Sequence, residues 1–235
     1  MVRRCRGRTA AALATAWAAA LALTACSSAP PAAEGEWHAV PLPGKAPTTY
    51  RWAEKDGRAA WQAHAERSAS MWRKRVVVQP EGLAGVSFSW WVQDLLGEAS
   101  VADAEREDAP ARVLFGFAGD VSRLPLRTRM MFELAQALTG EAPPYATLMY
   151  VWDASAPVGS VIVNPRTDRI RKIVVDSGPE GLRRWREHRR DLAADFRLAF
   201  GEEPGPLTSV ALMTDSDNTR SSARSWYGPV SFVRP

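Results

Sequence analysis

The loop from Thr214 to Arg220 holds the densest group of side chains that could do chemistry in this sequence. It reads TDSDNTR, so carboxylate, amide and hydroxyl oxygens stand beside one cation within a single turn-like segment. Such oxygens bind a hard cation such as Ca²⁺, or hydrogen-bond the hydroxyls of a sugar. The predicted ligand-binding residues of this loop are Asp215, Asp217, Asn218 and Thr219, of which Asp215 and Asp217 are the calcium candidates. The alternative is an Asx-turn loop whose acids are only solvated.

A second acidic loop, from Asp103 to Asp108, precedes a predicted strand that begins near Arg112. Such a run is usually a solvated connection. In a β-sandwich, however, the loops at one end cluster in space, so the two acidic loops could meet. Paired carboxylates there would suit a metal ion or general acid–base chemistry. Asp108 and Arg112 are therefore further candidates.

Aromatic side chains supply another clue. Between Val86 and Val92 the residues alternate, which places Trp90 with the core and Trp91 on the more polar face. An exposed Trp91 could stack on a sugar ring, whereas a helix packed over that face would bury it. By the same alternation Tyr227 lies opposite Trp226, and its hydroxyl reaches either a ligand or the backbone of the nearby acidic loop.

The segments that must position these residues read mainly as strands. Residues 48–54 and 58–66 predict a hairpin around the turn Lys55-Asp56-Gly57, because residues 58–66 alternate between the two faces. Further short β-branched or aromatic runs, bounded by turn residues, are 72–78, 86–92, 112–118, 147–152, 160–163, 170–175, 208–214 and 225–233. Many short strands without βαβ alternation predict an antiparallel β-sandwich, of jelly-roll type.

Two helices interrupt the predicted strands. The first is expected from Leu126 to Leu138, with Gly140 as its stop. The second is expected to begin at a capping box formed by Ser177 and Glu180 and to end at Gly201. Its apolar stripe would be Leu182, Trp185, Leu192 and Phe196.

The N-terminus has the pattern of a secretory signal. Four arginines within the first eight residues precede an uncharged run rich in Ala and Leu, which is too short for a membrane span. The run ends at Leu23-Thr24-Ala25-Cys26, which resembles the bacterial lipoprotein cleavage motif. The resemblance implies removal of residues 1–25 and lipidation of Cys26, and hence a membrane partner. With Ser27 next, it implies the outer membrane, facing the periplasm, if the host has two membranes.

Residues 26–47 are then predicted to form a spacer rich in Pro, Ala and Gly, and residues 48–235 a single domain. Loss of the four signal arginines from 30 basic residues leaves 26 basic against 26 acidic residues, so no charge argument for nucleic acid remains. Cys5 leaves with the signal and Cys26 carries lipid, so the domain has no disulfide and no thiolate nucleophile. Common enzyme motifs such as HExxH, the P-loop and GxSxG are absent from the sequence.

Five segments resemble, in order, an uncharacterised bacterial family, the domain of unknown function numbered three thousand and forty-seven. They are EDAPARVLFGF, PYATLMYVWD, NPRTDRIRKIVVDSG, WREHRRDLAADFRLAFGEEPG and ALMTDSDNTRSSARSWYGPVSF. Two adjacent acids before the Pro-Ala-Arg element are typical of the family, and here they are Glu107 and Asp108. Where members often carry a further acid this chain has Ala118, which argues against a metal site on that strand. The pattern is similar to galactose-binding-like sandwiches, which include carbohydrate-binding modules, although fold does not fix function.

Three functions follow as hypotheses. The first is a lipid-anchored envelope protein that binds a glycan through the Asp215–Thr219 loop, with Trp91 or Tyr227 as a stacking surface. The second is an envelope lipoprotein that contacts other proteins through an exposed apolar patch. The third is a hydrolase that uses carboxylates of the two acidic loops, which requires the loops to meet and at least one raised carboxyl pKa.

Overall fold

The computed structural model describes residues 35–232 together with Met1. The predicted signal peptide and Cys26 lie outside these residues. Within the described part, no helix has the length and the apolar composition that crossing a bilayer requires.

The described chain folds as a sandwich of two sheets. Its strands are β1 His38–Pro41, β2 Thr49–Lys55, β3 Arg58–Glu66, β4 Ser70–Val78, β5 Val86–Val92, β6 Arg112–Phe117, β7 Ala146–Asp153, β8 Val161–Val163, β9 Ile170–Ser177, β10 Trp185–Arg190, β11 Leu207–Met213, β12 Ser222–Tyr227 and β13 Ser231–Phe232. The seven-stranded sheet has the order β1-β4-β11-β6-β7-β9-β8, and the six-stranded sheet has the order β10-β5-β12-β3-β2, with β13 also on β5. Only β7 and β9 among these neighbours run parallel. The predicted β-sandwich is confirmed.

The core lies between the sheets because alternate residues of each strand point inwards. Phe115 and Tyr150 of the larger sheet meet Phe88 of the smaller sheet, and all three are almost fully buried. Phe88 and Tyr150 stack with ring centroids 5.3 Å apart. This aromatic layer fixes which face of each strand points outwards, and so which side chains can form a site.

Strand β1 falls inside the segment that was predicted to be a spacer. His38–Pro41 pairs antiparallel with residues 70–73 of β4, at the edge of the seven-stranded sheet. The folded domain therefore begins before the predicted boundary at residue 48. The sequence signal is weak here because Pro41 ends a strand of only four residues.

Helix α1, Leu126–Thr139, agrees with the prediction and ends at Gly140, whose φ is 76°. Helix α2 is shorter than predicted and covers only Leu192–Phe200, ending at Gly201. Its N-cap is Asp191, whose side chain accepts a hydrogen bond from the backbone N–H of Ala194.

The first half of the predicted second helix is strand β10, so the capping box at Ser177 and Glu180 was wrong. Residues 185–190 instead pair antiparallel with residues 86–91 of β5. The physical reason for a strand here is that buried carboxylates elsewhere in the fold are paired with basic side chains at alternate positions of this segment. Arg186 and His188 contact Asp176, and Arg190 contacts Asp195 in helix α2. Alternate residues share one face only in a strand.

Candidate functional site

The two acidic loops meet at one end of the sandwich. Asp108 lies before β6, and Asp215 and Asp217 follow β11, which is the neighbour of β6 in the sheet. One carboxylate oxygen from each of the three residues lies within 4.8 Å of the other two. The convergence that the hydrolase hypothesis needed is therefore present.

Asp215 forms a buried two-point ion pair with Arg112. The Nε of Arg112 donates to Oδ1 at 3.0 Å and Nη2 donates to Oδ2 at 2.9 Å, and both side chains are almost fully buried. The backbone N–H of Ala109 donates to the same Oδ1 at 3.0 Å. Burial raises the pKa of Asp215 to about 6, although Arg112 works in the opposite direction. This pair fixes the start of β6 to the end of β11.

Asp108 holds the acidic loop 214–220 in shape. It is 1% exposed, and its carboxylate accepts the backbone N–H groups of Asn218 at 3.2 Å and Thr219 at 2.7 Å. It also accepts the Thr219 hydroxyl at 2.6 Å. Both carboxylate oxygens of Asp108 therefore accept hydrogen bonds from loop 214–220, which lies far away in the sequence.

Three cations neutralise this end of the sandwich. Lys45 forms an ion pair with Asp217, which is the most accessible of the three clustered aspartates. The fully buried Lys172 donates to Oε1 of Glu107 at 2.7 Å and to the carbonyl of Val101 at 2.6 Å. Lys45, Lys172 and Arg112 thus carry three positive charges beside four carboxylates, so most of the negative charge is already compensated. The four carboxylates are those of Glu107, Asp108, Asp215 and Asp217.

This charge balance disfavours Ca²⁺ in the cluster as folded. The distances suit a shared cation, but Arg112 and Lys45 occupy oxygens that a hard cation would need. Calcium at Asp215 and Asp217 remains a prediction that requires at least the Lys45 ammonium to leave Asp217.

Lys45→Met should therefore make the protein respond to calcium. We expect millimolar Ca²⁺ to raise the unfolding midpoint of this variant relative to EDTA, because a ligand of the folded state stabilises it by mass action. Differential scanning calorimetry of the mature chain carrying Cys26→Ser, here called the unlipidated chain, would measure the shift. Lys55→Met, whose ammonium pairs with Asp56, is the matched control. A calcium response of the unsubstituted chain that Asp217→Ala abolishes would contradict this expectation.

Trp91 is not an open stacking surface. It is 6% exposed and lies in a small cluster with Ala60 and Trp226, whose ring meets it edge-on at 4.9 Å. The ammonium of Lys55 lies 4.0 Å above the Trp91 ring and covers it further. Trp91 is thus buried, as one of the two predicted alternatives required, but the residues that bury it belong to neighbouring strands and not to a helix.

Tyr227 faces the loop backbone, which was the second of its two predicted roles. The residue is fully buried, and its hydroxyl donates to the carbonyl of Met213 at 2.6 Å. It also lies 2.7 Å from the hydroxyl of Thr214 and accepts the backbone N–H of Arg112 at 3.3 Å. Burial raises the pKa of the Tyr227 hydroxyl, so it stays protonated. Tyr227 thus supports the ends of β6 and β11 and contacts no open space.

A groove of about 420 Å³ crosses the outer face of the seven-stranded sheet and ends at the acidic cluster. Its floor consists of outward-pointing apolar side chains of four neighbouring strands: Met71, Leu114, Met149, Ala211 and Met213. Helix α1 forms one wall through Met131, Phe132 and Ala135. Gly116 also lines the groove, and a side chain there is excluded because a Cβ would approach the Ser209 hydroxyl to 2.5 Å. The volume is within the usual range for small-molecule sites.

Polar groups gather at the two ends of this groove. Lys45, Asp217 and Asn218 line the end near the acidic cluster. Arg166 and Arg169 line the groove on the side of the β8–β9 connection. Arg169 is engaged with Glu202 at 2.6 Å, whereas Arg166 is exposed. The groove therefore combines a long apolar floor with polar and charged ends.

The sequence predictions located the polar end but not the floor. Lys45, Lys172 and the floor methionines were not among the candidates. A signal was present in runs such as RVLFGF and ATLMYVW, which are apolar at both alternate sets of positions. Such runs indicate strands that are buried against apolar residues on both faces. They could therefore have predicted a second apolar surface on the side of the sheet that faces away from the sandwich core.

The fold and this groove define a β-sandwich with a candidate ligand site on the outer face of its larger sheet. The chain belongs to the family described as Protein of unknown function (DUF3047), which matches residues 35–231. The predicted family resemblance is thus confirmed, while no curated protein matches the chain.

Solved structures of similar fold include two endoglucanases and a xyloglucanase domain. The endoglucanase cel12A from Rhodothermus marinus aligns at a TM-score of 0.45 and 11% identity, over 85% of this chain and 98% of that one. Endoglucanase 3 of family GH12 from Trichoderma harzianum aligns at 0.43 and 8%, over 86% and 100%. The xyloglucanase domain of NopAA from Sinorhizobium fredii aligns at 0.43 and 8%, over 84% and 92%. At these values the likeness concerns the fold only.

Proposed function

We propose that this protein is a lipid-anchored cell-envelope protein that binds an amphiphilic envelope ligand in the groove without transforming it. The observation that carries the proposal is the groove itself, an apolar floor that ends at a cluster of polar groups. A ligand matched to it has an apolar part for the floor and a hydroxyl-rich, glycan-like head for the acidic end.

The floor favours an apolar ligand part. Met71, Met149 and Met213 are unbranched and polarisable, so they adapt to chains of irregular shape. Each Å² of apolar surface that such a chain removes from water contributes roughly 25 cal/mol. Among the described residues that line the groove there is no Trp or Tyr whose ring could stack on a sugar. A free glycan would therefore leave most of the floor unused.

The acidic end favours a glycan-like head. Asp217 and Asn218 are partly exposed there and carry oxygens that accept hydrogen bonds from hydroxyls. Asn218 uses its Nδ2 on the carbonyl of Ala104 at 3.2 Å, which leaves its Oδ1 as an acceptor. Thr219, by contrast, is committed to Asp108. Of the predicted loop contacts, Asp217 and Asn218 are the two that we retain.

A hydrolase is the second candidate, and the meeting of the three aspartates favours it. The pKa of Asp215 is raised to about 6, which would suit a general acid. Against this, Asp108 and Asp215 are 1% and 4% exposed and their oxygens are engaged by protein donors. Turnover of an added glycolipid that Asp217→Asn abolishes while binding persists would support this candidate over the first.

The membrane partner and the envelope location rest on Cys26. Two or three acyl chains there would give an almost permanent anchor, because each buried methylene contributes about 0.8 kcal/mol. Incorporation of a labelled fatty acid into the unsubstituted protein, lost in Cys26→Ser, is the expected result. Labelling of both forms would contradict lipidation at this residue.

Met149→Arg should abolish ligand binding, because it places a charge in the centre of the apolar floor. The probe is dodecyl maltoside below its micelle concentration, which has an apolar chain and a disaccharide head. At about ten times its Kd we expect it to stabilise the unlipidated chain by roughly 1.4 kcal/mol, a rise of about 3–5 °C in the unfolding midpoint. Met149→Arg should show no rise, whereas the control Val158→Arg, at a side chain 64% exposed, should behave as the unsubstituted chain.

Maltose and decanoate separate the contributions of head and chain. A full shift with maltose alone would favour the free-glycan ligand over the amphiphile. If dodecyl maltoside shifts Met149→Arg and the unsubstituted chain equally, the groove is not the binding site.

A further inference from the structure

Helix α1 exposes a continuous apolar stripe along its entire length. The stripe follows the i, i+4 spacing that lies along one side of a helix. Its members are Leu126, Met130, Leu134 and Leu138, whose side chains are 64%, 60%, 59% and 69% exposed, with Met131 beside them at 42%. A soluble surface helix normally points such a stripe at the core, so this one faces the wrong way for an isolated domain.

The helix is also only lightly attached to the sandwich. It contains no fully buried residue, and its contact with the groove is made by half-buried side chains such as Phe132 and Ala135. A helix with a large buried face can expose a few apolar residues at the margin of that face. Helix α1 has no such face, so its exposed stripe needs another explanation. Contiguous exposed apolar surface of this kind marks a contact with a partner or a membrane.

The start of the described chain lies beside the end of this helix. The backbone N–H of Gly35 donates to the carbonyl of Arg75 at 3.1 Å, and the Arg75 guanidinium bonds Glu141 at 2.9 Å. Glu141 directly follows Gly140, where α1 ends. Cys26 is nine residues before Gly35, and a fully extended chain of that length spans at most about 30 Å. A lipid on Cys26 thus keeps Gly35, on the side of the domain where α1 ends, within about 30 Å of the bilayer.

The charge of the helix permits this contact. Arg127 and Arg129 outnumber its single acid, Glu133, so α1 is not repelled by anionic lipids. Long arginine side chains beside an apolar stripe can also extend towards the headgroups.

We propose that α1 docks on the membrane that holds the anchor, with its stripe of Leu126, Met130, Leu134 and Leu138 at the boundary between headgroups and acyl chains. The proposal rests on the anchoring part of the proposed function. Amphipathic helices in this position bury their apolar face about 5–10 Å into that boundary. Because the same helix forms a wall of the groove, docking places the groove beside the bilayer from which an amphiphile would come.

The test places an environment-sensitive nitrobenzoxadiazole label on the stripe of the lipidated protein. Leu134→Cys gives a unique free thiol, because Cys5 is removed with the signal and lipid blocks Cys26. The labelled protein is reconstituted into vesicles of phosphatidylethanolamine and phosphatidylglycerol. The matched control is Val158→Cys, 64% exposed and in the connection between β7 and β8, at the opposite edge of the sheet from β1.

The expected result is that the label at 134 emits at shorter wavelength and resists reduction by dithionite, while the label at 158 is reduced as fast as free dye. Equal reduction at both positions overturns the proposal. Protection at 134 that depends on the protein-to-lipid ratio and disappears on dilution with lipid assigns the stripe to a second copy, and also overturns it. Fatty-acid labelling of Cys26 and the dodecyl maltoside shift of the unlipidated chain are measured separately, so failure of the anchor or of the groove is distinguished from failure of docking.

Discussion

Asp215→Asn should lower the free energy of unfolding by about 3–5 kcal/mol, because it removes the hydrogen-bonded counter-charge of the buried Arg112 guanidinium and leaves only the more distant Glu107 carboxylate at 3.8 Å. The cost arises from desolvation: Arg112 is 2% exposed, so water cannot replace the lost carboxylate. Urea unfolding of the unlipidated chain would measure the loss. The slope with urea should stay constant if the variant still unfolds in one step.

The matched control for this experiment lies two residues further along the same loop. Asp217→Asn removes a carboxylate whose partner, Lys45, has a side chain 38% exposed. Exposed ion pairs contribute about 0–1 kcal/mol, so this variant should stay within about 1 kcal/mol of the unsubstituted chain. Losses of equal size in the two variants would show that the buried pair is not what ties β6 to β11.

Asp176→Ala should have an effect of similar size, about 3–5 kcal/mol, for a related reason. The Asp176 carboxylate on β9 is 3% exposed and joins the two sheets. It accepts Trp90 Nε1 at 2.8 Å from β5, and Arg186 Nη2 at 2.7 Å and His188 Nε2 at 2.9 Å from β10. Its removal leaves the buried Trp90 donor unpaired and frees the edge strand β10. Glu187→Gln, on the exposed face of the same strand, should cost about 1 kcal/mol or less.

Asp176 should also make the free energy of unfolding depend on pH in the acidic range. Burial raises the pKa of Asp176, but hydrogen bonds from His188, Arg186 and Trp90 outweigh it, and the net pKa lies below its usual 3.8. A carboxyl pKa that is lower in the folded state contributes stability above the unfolded value and loses it as the pH falls through the folded value. Between pH 5 and about pH 2 the free energy of unfolding should fall more for the unsubstituted chain than for Asp176→Asn. Parallel losses in both would contradict a role for this carboxyl.

Local patterns were sufficient to predict the elements whose partners are near in sequence. The hairpin of β2 and β3 follows from a clean alternation around the turn Asp56-Gly57, and its register runs unbroken from Thr49 opposite His64 to Lys55 opposite Arg58. Helix α1 likewise follows from its own spacing and from Gly140. These elements need little information from the rest of the chain.

Strand β10 could not be predicted because its reason lies elsewhere in the fold. Trp185, Leu192 and Phe196 fit a helical spacing, and only the last two prove to be helical. What decides the matter is the pairing of Arg186 and His188 with Asp176, a residue on another sheet. A single sequence shows the cations and the acid but not that they meet.

The candidate site divides in the same way. The cluster of Asp108, Asp215 and Asp217 was predictable as a group of acids at strand ends, since loops at one end of a sandwich converge. The neutralisation of this cluster by Arg112 and Lys45 could not be predicted, because both ion pairs join segments that are distant in the sequence. The groove floor was missed because Met149 and Met213 look like ordinary core residues until the inward face of their strands is known to be occupied by others.

The position of β1 would have a mechanical consequence if the proposed lipid on Cys26 holds the domain at its N-terminal side. A pull along the chain reaches the Gly35–Arg75 bond first and then the four-residue ladder from His38 to Pro41 at the sheet edge. Because β1 lies at the sheet edge and pairs only with β4, these bonds can break without breaking the Asp215–Arg112 pair or the aromatic core. With the proposed anchor, strand β1 could therefore detach under tension and lengthen the connection to the membrane by about 3.3 Å for each residue released, before the rest of the sandwich is strained.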